Sequence, residues 1–114
     1  MMPIDWNEAV AHALSLPGAE MSTSYGKPAV KVNGRAFLTP GHEADSFCLQ
    51  IDKDSIEMLL ALDPETYWQS AHYVGWPAVL VREATPHADH VLGMIGRAHA
   101  WNALRPAPRN RKKA

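Results

Sequence analysis

Apolar positions along the chain follow two rhythms, one of three to four residues and one of two. In IDWNEAVAHALSL, residues Trp6, Ala9, Val10, Ala13 and Leu14 fall at three- and four-residue spacings, which predicts a first helix. Asp5 stands at its start with Glu8 three residues later, a capping-box arrangement in which each side chain serves the other's free backbone amide. Leu16-Pro17-Gly18 ends it, because Pro17 pushes its predecessor out of helical geometry and Gly18 tolerates the reversal. Residues 24–39 then read as a β-hairpin, with Asn33-Gly34 at the centre of a type I′ turn whose positive φ angles those two residues accept. A third strand is predicted at about 46–51, where Phe47, Leu49 and Ile51 alternate with Cys48 and Gln50.

Asp52 is placed to cap a second helix over about 53–62, with Ile56, Leu59 and Leu60 as its apolar stripe and Asp63-Pro64 as its stop. Two further strands are predicted at about 66–70 and 77–83. A last helix is expected to start with Thr85 as cap and Pro86 at its first position. At 100° per residue its core face holds Ala88, Val91, Leu92, Ile95, Ala98, His99 and Asn102. Gly93 and Gly96 on this helix are expected to mark close packing on the sheet or on another chain, since each costs ~1 kcal/mol in helix propensity. The order αβββαββα predicts an α+β fold: a mostly antiparallel sheet with helices packed on one face. By strand parity, Lys31, Cys48 and Gln50 look out from the other face.

The length of 114 residues suits one domain, here 1–104, followed by a basic flexible tail over 105–114. Net charge is −1, yet the tail holds five cations (Arg105, Arg109, Arg111, Lys112, Lys113) and no acid. The body therefore sets six basic residues against twelve acidic ones and stands at −6. An acidic body repels polyanions, so nucleic-acid binding needs a local basic patch or the tail. The single cysteine, Cys48, forms no internal disulfide and supplies no zinc thiolate set. The opening MMPIDWNEAV lacks the basic start and apolar run of a secretory signal, and no window approaches the roughly 18 apolar residues of a span. The expectation is a cytoplasmic protein with no membrane partner.

Four segments carry a resemblance: LPGAE at 16–20, YGKPAVKVNGRAF at 25–37, AHYVGWPAVLVRE at 71–83 and AHAW at 98–101. In this order and spacing they resemble the MmcQ/YjbR family of small bacterial proteins, over nearly the whole chain. The resemblance implies a fold related to that of the bacterial frataxin homologue CyaY and a DNA-binding role for a hairpin-based architecture. One departure stands out: HYVGWPAVLV carries no Lys or Arg before Arg82, where many relatives are basic.

Candidate nucleic-acid contacts are Lys27, Lys31 and Arg35 on the hairpin, Arg82 on a late strand, and the five tail cations. Candidate stacking or ligand-binding aromatics are Tyr25, Trp68, Tyr73 and Trp76. These support two readings: a weak, salt-sensitive DNA binder, or a module that holds a small ligand or protein partner on an aromatic surface. Both are non-catalytic. Cys48 has no adjacent base, and no P-loop, dinucleotide fingerprint or GxSxG occurs. His87 and His90 lack the further ligands a metal site needs, so no metal and no cofactor is expected.

Overall fold

The computed structural model describes residues 4–24, 26–41, 45–71 and 73–106. Helix α1 (Trp6–Leu14) begins at the expected capping box: the Glu8 amide donates to Asp5 Oδ1 at 2.9 Å and the Asp5 amide to Glu8 Oε1 at 3.2 Å. Four strands follow, β1 (Glu20–Ser24), β2 (Lys27–Val32), β3 (Arg35–Pro40) and β4 (Ser46–Gln50). Then come α2 (Lys53–Leu62), β5 (Tyr67–Trp68), β6 (Ala78–Arg82) and α3 (Ala88–Leu104). The six strands form one antiparallel sheet in the order β1-β2-β3-β4-β6-β5. This is the α+β class expected, with a strand added ahead of the hairpin. β1 (EMSTS) is an edge strand with no buried residue, so it lacks the apolar alternation by which strands are read.

All three helices back one face of the sheet. Val30, Phe47, Leu49, Val79 and Val81 meet Ala9 and Ala13 of α1, Ile56 and Leu59 of α2, and Val91, Ile95 and Ala98 of α3 in one core. At roughly 1.5–3 kcal/mol for each large apolar side chain removed from water, this contact holds the helices on the sheet. The pairing of β2 and β3 slips between Val30 and Lys31: Val30 faces Leu38, but Lys31 faces Ala36. The extra residue, Phe37, thereby joins Leu38 in the core, edge-on to His99 at 5.4 Å. Lys31 and Ala36 fall together on the opposite face.

That opposite face is less open than parity alone implies. The chain leaves the sheet at Gln69, and the loop over 69–77 lays Tyr73 on Cys48, Ala78 and Leu80, with Trp68 beside it. Gln69 Nε2 staples the loop by donating to the carbonyls of Tyr73, Trp76 and Ala78 at 3.2, 3.3 and 2.8 Å. This is why β5 stops at Trp68 rather than running to residue 70. Cys48 is fully buried, and burial, partly offset by Thr39 and Tyr73, pushes its thiol up to about 11.

Three further expectations are corrected. Thr85 and Pro86 do not open α3; the helix starts at Ala88, because the buried Thr85 hydroxyl is bound to Thr66 at 2.7 Å and accepts the His87 amide at 2.9 Å. Gly93 and Gly96 do not serve close packing on the sheet, since a Cβ at either would meet nothing within 4 Å. Arg105 and Pro106, assigned to the tail, are held against the hairpin. Among the described residues no helix is long and apolar enough to cross a membrane.

Candidate anion-binding groove

The β2–β3 turn, the end of α3 and the 69–77 loop meet around a groove. Asn33 and Gly34 take φ values of 55° and 77°, the pair of positive angles a type I′ turn requires. The turn sets Asn33 and Arg35 against the chain leaving α3: Asn33 Nδ2 donates to the Arg105 carbonyl at 2.7 Å and Arg35 Nε to the Pro106 carbonyl at 2.8 Å. Pro106 cannot continue the helix, and Arg105 is already extended at φ −81°, ψ 150°. The Arg105 guanidinium lies over the Trp101 ring, 4.2 Å from its centre, and donates to Asn102 Oδ1 at 3.3 Å. Asn102, fully buried, donates to the Gln50 carbonyl at 2.9 Å and so ties the end of α3 to the end of β4.

The resulting groove has a volume of about 440 Å³. Its cations are Lys31, Arg35 and Arg105, its aromatic wall is Trp76 with Pro77, and its neutral polar lining comes from Ser24, Gln50 and Asn102. No Asp or Glu lines it. Glu20, opposite Lys31 in the strand register, makes no ion pair with it; among the described residues the only salt bridge is His87 with Asp63. Burial and the charge of Arg35 hold the Arg105 guanidinium below its ordinary pKa, the direction expected where cations crowd without a counter-charge. Gln50 Nε2 donates to Thr39 Oγ1 at 3.1 Å and Cys48 Sγ at 3.6 Å, whereas its Oε1 is buried and accepts no hydrogen bond.

The other sequence candidates are placed apart from this groove. Lys27 shares the outer face of β2 and sits opposite Ser24, beside the groove but not lining it. Arg82, at the far end of β6, stacks its guanidinium on Trp68 at 4.2 Å. Trp68 and Tyr73 pack inward on Cys48 and Leu80, so the three described aromatics do not form one surface; Trp76 alone of them is exposed, at 65%. Tyr25, Arg109, Arg111, Lys112 and Lys113 lie outside the described residues. Gln50 was placed on the outward sheet face but not as a site residue, and Asn102 and the groove position of Arg105 went unread in the sequence. Asn102 had left a signal, a polar residue on the computed apolar stripe of α3.

A second cleft of about 440 Å³ lies between the end of α2 and the start of α3, lined by Leu62, Asp63, Pro86, His87, Asp89 and His90. His87 Nδ1 donates to Asp63 Oδ2 at 2.9 Å, and His90 Nδ1 is hydrogen-bonded to the Tyr67 hydroxyl at 2.8 Å. Burial works against the Asp63 charge, but hydrogen bonds from Thr66 and His87 prevail and hold its carboxyl below the ordinary range. No cluster of three or more ligating side chains occurs among the described residues.

Fold and groove together define an α+β protein whose helix-backed antiparallel sheet carries an uncompensated cationic groove at its hairpin end. The YjbR family model matches residues 14–101, and the chain belongs to that family. The match takes in Lys31, Arg35, Gln50 and Trp76, while Asn102 and Arg105 fall just beyond it. No curated protein and no solved structure matches.

Proposed function

We propose that the chain binds the phosphodiester backbone of nucleic acid, DNA in the first instance, at this groove and without catalysis. The observation that carries the reading is the convergence of Lys31, Arg35 and Arg105 on a cavity with no carboxylate in its lining. Guanidinium forks match phosphate oxygens two at a time, and Lys31 adds a point charge. The Pro106 carbonyl is bound by Arg35, and the sequence after it adds four further cations. The net charge of −5 over residues 1–106 opposes long-range attraction, which makes the expected binding weak and sensitive to salt.

A variant ending at Pro106 separates the two contributions. Fluorescence-anisotropy titrations with a labelled single strand and a labelled duplex, at several salt concentrations, measure log K against log salt. At a slope of about −0.7 per single-strand phosphate contact, the three groove cations account for about −2 and the full chain for about −5. Binding that vanishes with the tail would reject the groove. A small anionic ligand is the other occupant a cavity of about 440 Å³ admits, since small-molecule pockets run roughly 300–1,000 Å³. Saturable binding of a free mononucleotide with no gain from a longer strand would favour it.

A further inference from the structure

We propose that the groove holds a single unpaired nucleotide, its base stacked on Trp76 and donating an N–H to Gln50 Oε1, so that single strands are preferred to duplex. The proposal rests on the phosphodiester reading and deepens it. Two observations carry it, and neither concerns the cations. The first is Gln50: a buried acceptor without a donor is costly, and native structures keep few of them. Its Nε2 is engaged by Thr39 and Cys48, and Oε1 is the end of the carboxamide without a partner. A phosphate offers that oxygen nothing, because both are acceptors. A nucleobase offers N–H groups on its Watson–Crick edge, and those are free only when the base is unpaired.

The second observation is Trp76. It is 65% exposed on a wall of the same groove, at a loop whose base is pinned by Gln69 and whose neighbour Gly75 takes φ 87°. Trp68 and Tyr73 on the same loop and strand are packed away, so exposure of Trp76 is not shared by its aromatic neighbours. An exposed indole face beside three cations provides a stacking platform next to phosphate ligands, the combination by which single strands are held without sequence readout. The volume of about 440 Å³ has room for one nucleotide and not for the width of a double helix.

The test compares three probes on the full chain: a thymidine oligonucleotide, an abasic strand of equal length and charge, and a duplex of equal phosphate count. The abasic strand is expected to bind about tenfold more weakly than the base-bearing one, and the duplex more weakly again. Tryptophan fluorescence should be quenched by the base-bearing strand, with the quench removed in Trp76→Phe. Gln50→Met, which keeps the length and loses the acceptor, should narrow the difference between the base-bearing and the abasic strand. The probe comparison needs no variant, so misfolding of Gln50→Met does not blunt it. Equal, salt-dependent binding of all three probes would overturn the nucleotide pocket and leave the phosphodiester reading standing. No binding by any probe would overturn both.

Discussion

Two clefts of equal volume indent this surface, and they treat their polar groups in opposite ways. In the cleft between α2 and α3, both imidazoles are matched: His87 to Asp63, and His90 to the buried Tyr67. In the hairpin groove, three cations share no carboxylate and the buried Gln50 oxygen has no donor. In the first arrangement those bonds tie the start of α3 to Asp63 and to β5. The second is framed by bonds to the backbone carbonyls of Gln50, Arg105 and Pro106 and to the Asn102 side chain, and none of its cations meets a counter-ion among the described residues. Cavity size says nothing about function in this molecule; what distinguishes the two is whether the chain satisfies its own lining.

The largest expected effect breaks the groove's side of the comparison. Arg35→Glu with Arg105→Glu should lower single-strand affinity by about a hundredfold or more at low salt and flatten the salt dependence of a variant ending at Pro106, read by anisotropy. Undiminished affinity would place binding elsewhere. The matched cleft should behave in reverse. His87→Ala should leave affinity unchanged and lower stability by roughly 0.5–1 kcal/mol, measured by denaturant unfolding.

The same cleft carries a pH signature. The folded-state pKa of Asp63 lies below its unfolded value, so its contribution is fully present above the ordinary carboxylate range and is lost as pH falls through the folded value. Asp63→Asn should therefore show a shallower fall of thermal midpoint on acidification below about pH 4 than the unaltered protein. An identical fall in both would remove Asp63 from the cleft's stability. A further effect, on stability alone, lies outside both clefts. Gly93→Ala should raise stability by about 1 kcal/mol, because the position is helical and open, and should leave binding untouched.

Much of the scaffold was legible because local chemistry decided it. The Asp5–Glu8 box, the Asn33-Gly34 turn and the Asp52 cap are short-range devices, and each sits where the pattern placed it. β1 was not legible, since a polar edge strand owes its existence to pairing with β2 rather than to its own pattern. Thr85 misled because its hydroxyl is engaged by Thr66, nineteen residues away in the chain. The groove was legible only in pieces. Lys31, Arg35 and Trp76 stand out singly, but their meeting depends on the Val30/Lys31 slip, on Gln69 gathering the loop, and on Asn33 holding Arg105. Arg105 reads as tail because it follows the helix and precedes a proline, and nothing local reveals that Asn33 binds its carbonyl across 72 residues.

Backbone-amide chemical-shift mapping during titration with a short single strand tests the contrast between the clefts most directly. Perturbations centred on Lys31, Gly34, Arg35, Gln50, Trp76 and Arg105, with none at Asp63, His87 or His90, are the result this account predicts. Perturbations clustered between α2 and α3, or a spectrum unmoved by saturating nucleic acid at low salt, would contradict it.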